Sequence, residues 1–125
     1  MAQVQKVGRV MVPVADQDAA IAFYTEKLGF TVAADVPFGD GERWVEVAPP
    51  GGGANLALVP ARGDYQPGRN TGVALTSSDV AADHAELSGK GVDADELMGG
   101  DGTVPPMFFF RDGDANTLLL VADTG

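Results

Sequence analysis

The chain has no cysteine among its 125 residues. That excludes a disulfide framework and any thiolate, whether nucleophile or metal ligand. It has one histidine, and Ser77, Ser78 and Ser88 have no second histidine near them in a motif, so a hydrolytic triad is unsupported. Basic residues are scarce, eight against eighteen acidic for a formal charge of −10. Phosphate contacts need a basic face, so nucleic acid is not an expected partner. No apolar run reaches the ~18 residues of a membrane span. Met1–Lys6 leads into no long apolar core, so no secretory signal is expected and a cytoplasmic location is the default. Gly51–Gly53 and Gly99–Gly100 are loop glycines outside any strand-to-helix phosphate motif, which leaves nucleotide binding unsupported. The acid excess favours a cationic ligand at long range. It equally keeps a protein soluble, and the richness in Ala, Gly, Val and Asp with little Lys resembles a genome-wide bias.

What is present is a unit stated twice. Val10–Val12 leads to Asp16 and a helix-like run ending at Lys27-Leu28-Gly29. Val73–Leu75 leads to Asp79 and a second run ending at Gly89-Lys90-Gly91. Asp16 and Asp79, like Lys27 and Lys90, lie 63 positions apart. A repeat of this length marks a duplicated supersecondary unit, and such halves usually build one pocket between them.

Val7–Val14 has the alternation of a strand, with Val10, Val12 and Val14 on one face and Arg9, Met11 and Pro13 on the other. Asp16 or Asp18 is suited to cap the next helix. Ile21, Tyr24 and Leu28 give that helix an apolar stripe, and Gly29 ends it. Strands are expected at Phe30–Val36, Arg43–Ala48 and Asn55–Pro60, the first two joined by the turn Phe38-Gly39-Asp40-Gly41. Ala61–Thr71 reads as a connector and a mobile flap. The second half repeats the order: strand Gly72–Thr76, helix Val80–Lys90 with Val80, His84 and Leu87 inward, a weak strand Val92–Met98, and a loop Gly99–Pro106. Strand Met107–Arg111, turn Asp112–Ala115 and strand Asn116–Ala122 close it. The expectation is one α+β domain over 1–125, built from two βαβββ modules at 1–61 and 72–125.

Val10-Met11-Val12-Pro13-Val14-Ala15-Asp16, Ala22-Phe23-Tyr24 and Leu28-Gly29-Phe30 resemble the opening of the glyoxalase/bleomycin resistance protein/dioxygenase superfamily, the vicinal oxygen chelate proteins. Phe109–Leu118 resembles that family's closing hairpin, Phe-Phe-x-Asp-Pro-Asp-Gly-Asn-x-Leu. Gly113 and Ala115 replace its Pro and Gly, which should make the turn less rigid. The resemblance implies a half-open, cup-shaped sheet with one face on the helices and the other lining a cavity. It also implies that cups assemble from two chains, so a homodimer is expected.

Metal-dependent members carry His, Gln or Glu on four cavity-facing strands. Those positions fall here at Arg9, Ala57, Gly72 and Leu119. Arginine offers no lone pair, and the other three have no donor atom. The resemblance therefore implies no metal and no cofactor. His84 reads as a structural histidine on its helix, and Asp112 and Asp114 as turn-formers. The same parity places Arg9, Met11, Pro13, Trp44, Glu46, Ala57, Val59, Gly72, Ala74, Thr76, Thr117, Leu119 and Val121 toward the cavity, with Met107 and Phe109 favoured over Phe108 and Phe110. Arg9, Met11, Trp44, Glu46, Val59, Met107, Phe109 and Leu119 are the candidate ligand contacts.

Trp44 is suited to stack on a planar ligand or simply to pack in the core. Arg9 and Glu46 can pair with each other, because an unpaired charge in a dry pocket is costly. Alternatively Arg9 holds a ligand carboxylate or enolate, and Glu46 acts as a base if burial raises its pKa. The leading expectation is a metal-free protein that binds a small aromatic or cationic molecule, like the family's antibiotic-binding resistance proteins. The rivals are a glyoxalase-like lyase or isomerase, working through Arg9 and Glu46 or through a metal at unrecognised ligands, and a non-catalytic accessory module.

Overall fold

The structure is a computed structural model and describes residues 1–123. The chain forms two compact units, Met1–Gln66 and Pro67–Gly125. The division falls inside the stretch expected to connect the halves.

The first unit contains β1 (Arg9–Val14), α1 (Gln17–Ala22), a π-helical segment (Phe23–Lys27), β2 (Thr31–Pro37), β3 (Arg43–Ala48) and β4 (Asn55–Pro60). Its sheet runs β1-β4-β3-β2. β1 lies parallel to β4, while β3 is antiparallel to both β4 and β2. The second unit contains β5 (Asn70–Ser77), α2 (Val80–Gly89), β6 (Asp93–Ala94), β7 (Met107–Arg111) and β8 (Thr117–Ala122). Its sheet runs β5-β8-β7-β6 with the same parallel and antiparallel pairings. The sequence repeat is thus a repeat of topology in an α+β fold.

Strand alternation explains the packing. Val12, Val14, Val45, Val47 and Leu58 are fully buried, with Leu56, Ala20 and Tyr24 also in the core. In the second unit Phe108, Phe110, Leu118 and Leu120 are buried with Val80 and Leu87 of α2. Burying side chains of this size stabilises by about 1.5–3 kcal/mol each. Asp16 and Asp79 cap the two helices, accepting from Ala19 N and Ala82 N, both at 3.1 Å. Gly29 and Gly91, at φ 75° and 81°, end them in the left-handed region that favours glycine.

Two elements differ from expectation. The first helix is α-helical only to Ala22 and continues as a π-helix. Thr25 Oγ1 donates to the Ile21 carbonyl at 2.8 Å, and such back-bonding competes with regular turns. Ala20 and Tyr24 are therefore the buried pair, whereas Ile21 and Leu28 are only half-buried. The strand expected over Val92–Met98 shrinks to Asp93–Ala94, plus one bridge from Met98 to Met107. Asp93 and Asp95 clamp Arg111 instead, and their carboxylates supply no apolar face for a longer strand.

The connector is also more tied than a free flap. Ala61 N donates to Val14 O at 3.1 Å, Arg62 and Tyr65 exchange backbone hydrogen bonds, and the Tyr65 hydroxyl donates to the Met11 carbonyl. Likewise the closing turn is held rather than loosened. Asp112 Oδ1 accepts from Asp114 N and Asn116 N, both at 2.9 Å, and Asn116 is fully buried. The departure at Ala115 appears as strain, because this non-glycine residue sits at φ 62°. A left-handed L-residue costs roughly 1–2 kcal/mol, and glycine returns about 0.4–1 kcal/mol of that to the unfolded chain. Ala115→Gly should therefore raise stability by about 0.5–1 kcal/mol in urea unfolding. A loss of stability would show that the turn does not hold this conformation.

Candidate functional site

The helix-free face of the first sheet carries a cluster of polar side chains, Arg9, Trp44, Glu46 and Asn55. Register places Met11 beside Ala57, Ala57 beside Glu46, and Glu46 beside Ala34 in one row across the sheet. Arg9 lies beside Asn55, and Val36 beside Trp44. Residues directly opposite across a pair point the same way. Arg9, Met11, Trp44, Glu46 and Val59 therefore share this face, as the strand parity implies. Ala57 is fully buried among them, whereas Met11 is 55% exposed.

Glu46 is the centre of the arrangement. It is only 6% exposed. Its Oε2 accepts from Trp44 Nε1 at 2.7 Å and from Arg9 Nε at 2.8 Å, and its Oε1 accepts from Asn55 Nδ2 at 3.1 Å. The Trp44 indole, then the Asn55 amide, and also the Arg9 guanidinium hold the carboxyl below its ordinary value, against the upward push of burial. The pairing of Arg9 with Glu46 is thus realised, and Glu46 is a fixed anion rather than a base poised near neutrality.

Two residues of this site escape a reading of motifs. Asn55 opens β4 and supplies the third donor to Glu46. Phe38, assigned to a turn, packs its ring 5.8 Å from that of Trp44 at 35°. It is 52% exposed, so the turn presents an aromatic surface continuous with Trp44. Only the β2–β3 register could have flagged it, since Val36 opposite Trp44 brings the residues after β2 alongside.

In the second unit Ala74, Leu119 and Phe109 form one row, and Thr76, Val121 and Met107 another. Met107, Phe109 and Leu119 are half-buried, while Phe108 and Phe110 are fully buried on the opposite face. His84 sits among structural contacts. Its ring stands edge-on to Phe108 at 4.8 Å, and its Nε2 donates to the Asp95 carbonyl at 2.8 Å.

The donor set does not fit a divalent ion at the positions that the resemblance marks. Arg9 is engaged with Glu46. Ala57 and Leu119 have no donor, and Gly72 stands at φ 72°, where a ligating side chain would be strained. Among the described residues no three His, Asp or Glu side chains are grouped to hold a metal ion.

Fold and site together define a class. The chain belongs to the Glyoxalase/Bleomycin resistance protein/Dioxygenase superfamily, whose family model matches residues 6–120. It is similar to TnmS3, an antibiotic binding protein from Streptomyces sp. CB03234, with 35% identity and a TM-score of 0.86 over 99% of this chain and 100% of that one. A superfamily member from Sphaerobacter thermophilus DSM 20745 superposes with a TM-score of 0.89 at 28% identity, covering 98% of this chain and 100% of that one. The uncharacterized protein YetH of Bacillus subtilis (strain 168) is 33% identical over 122 residues, 94% of this chain and 98% of its own.

The Glu46 environment has a measurable signature. Its folded pKa is depressed, so the stability it contributes is fully present above the ordinary value of 4.5 and is lost as pH falls through the folded value. Carboxyl carbon NMR should show Glu46 titrating below 4.5. Glu46→Gln should destabilise the protein at pH 7 by about 1–3 kcal/mol, with the difference shrinking in acid. A titration above the ordinary value would contradict the assigned hydrogen bonds.

Proposed function

We propose that this protein binds a small planar aromatic molecule in the manner of a sequestering resistance protein, without a metal at the family position and without a chemical step. The observation that carries the reading is the saturation of Glu46. Its three N–H partners leave the one buried carboxylate of this face committed to structure, which removes the base that a lyase or isomerase working through Arg9 and Glu46 would need. Around it lie Met11, Trp44 and Phe38, an apolar and aromatic surface with one placed cation. Small-molecule sites generally have that composition. Likeness to an antibiotic binding protein over nearly the whole chain supports the same reading. Val59 on the first sheet is proposed as a further ligand contact, Met107, Phe109 and Leu119 are proposed as contact positions on the corresponding face of the second sheet, and the working form is proposed to be a homodimer.

Trp44 is the only tryptophan, so its fluorescence reports this face alone. Titration with planar polycyclic aromatics should quench it saturably. Trp44→Leu should weaken binding roughly tenfold, as expected from loss of one aromatic stacking contact. Protein purified without chelators should carry substoichiometric metal. One tightly bound Zn, Ni, Mn or Fe per chain, or turnover abolished by chelator, would overturn the metal-free reading. Light scattering should give twice the mass of a single chain, and a monomer would remove the proposed dimer.

A further inference from the structure

The ion pair on the open face of the first sheet is lopsided, and the imbalance selects a ligand charge. Glu46 is 6% exposed and its oxygens accept from three N–H groups. Arg9 has 55% of its side chain exposed and holds Glu46 through Nε alone. A guanidinium carries five N–H donors in a rigid plane. The Nη1 and Nη2 groups of Arg9 make no hydrogen bond among the described residues. The anion of the pair is therefore buried and satisfied, whereas the cation is presented with donors to spare.

We propose that the ligand is an aromatic molecule bearing an anionic oxygen, a carboxylate, phenolate or enolate, which Arg9 receives through its Nη groups while the ring system lies against Trp44 and Phe38. This rests on the small-molecule reading above and narrows it. Paired N–H donors at one end of a guanidinium match the two oxygens of a carboxylate or a vicinal keto–enolate pair. Glu46 is the positioning residue: it fixes the plane of the fork, and Trp44 and Asn55 fix Glu46 in turn. A cationic ligand meets the opposite arrangement. It would encounter the Arg9 charge first and find Glu46 enclosed with three acceptor directions taken. The chain's charge of −10 does not reverse this. Charges beyond about 8 Å are largely screened at physiological salt, so the nearest groups decide.

The test uses three bicyclic probes of one shape: 2-naphthoate, 2-naphthamide and 2-naphthylmethylammonium. Binding is measured by calorimetry and by the shift of the Trp44 Nε1–H resonance. Affinity should fall in that order, with a difference on the order of tenfold or more between the first and the last. Arg9→Met should abolish the order. Arg9→Lys, which keeps the charge and a partner for Glu46 but loses the fork, should retain part of it, so a folding defect in the first variant does not mask the answer. Equal binding of the three probes, tighter binding of the ammonium compound, or an order that survives in Arg9→Met would overturn this proposal and leave the small-molecule reading standing. Failure of all three probes to bind at millimolar concentration would overturn both.

Discussion

Each four-stranded sheet of this chain packs one face against a single helix, and the other features follow from that constraint. Valine, leucine and phenylalanine occupy every second position of the inner strands because only those positions reach the helix. In the first unit Val45 and Val47 take that side of β3, so Trp44 and Glu46 must take the other. The duplication repeats the arrangement, with Phe108 and Phe110 against α2 and Met107 and Phe109 opposite. The chemistry of the protein is whatever the alternate positions carry, and selection for packing does not determine them.

A carboxylate at an alternate position of a central strand has few fates. At Glu46 burial alone would favour the neutral acid and a raised pKa. Three N–H donors reverse the sign. That arrangement orders four side chains at once: Arg9 from β1, Trp44 and Glu46 from β3, and Asn55 from β4. Only the carboxylate of the ion pair is enclosed, because the Arg9 side chain stays 55% exposed. The outer ties are of a different kind. Arg43 bridges Asp18 and Asp35, and Arg111 bridges Asp93 and Asp95. These are largely exposed contacts of modest worth, which fasten edges of each sheet without shaping a ligand surface.

Much of the fold is legible in the sequence because alternation and capping are local. The offset of Asp16 and Asp79, the terminal Gly29 and the alternating apolar strands locate seven of the eight strands and both helix starts. The π-helical turn is not legible, since Ile21, Tyr24 and Leu28 fit a regular helix and only the Thr25 back-bond signals otherwise. The long strand at Val92–Met98 fails because Arg111 recruits Asp93 and Asp95, a pairing set by distant register. The candidate site divides the same way. Arg9, Met11, Trp44, Glu46 and Val59 follow from parity. Asn55 and Phe38 do not, because their roles depend on which residue of a neighbouring strand stands opposite.

The local and global charges of this chain point in opposite directions, and geometry decides between them. Composition describes an acidic protein suited to attracting cations. At the open face the acid is enclosed and the base protrudes, so the charge that this face presents outward is the guanidinium of Arg9. Long-range attraction affects how often a molecule arrives, whereas the groups within hydrogen-bonding reach determine what stays. A residue count cannot reveal this inversion, because it depends on Trp44 and Asn55 turning their N–H groups toward Glu46. Those two neutral donors satisfy the carboxylate without adding charge, and they leave the guanidinium of Arg9 only partly spent.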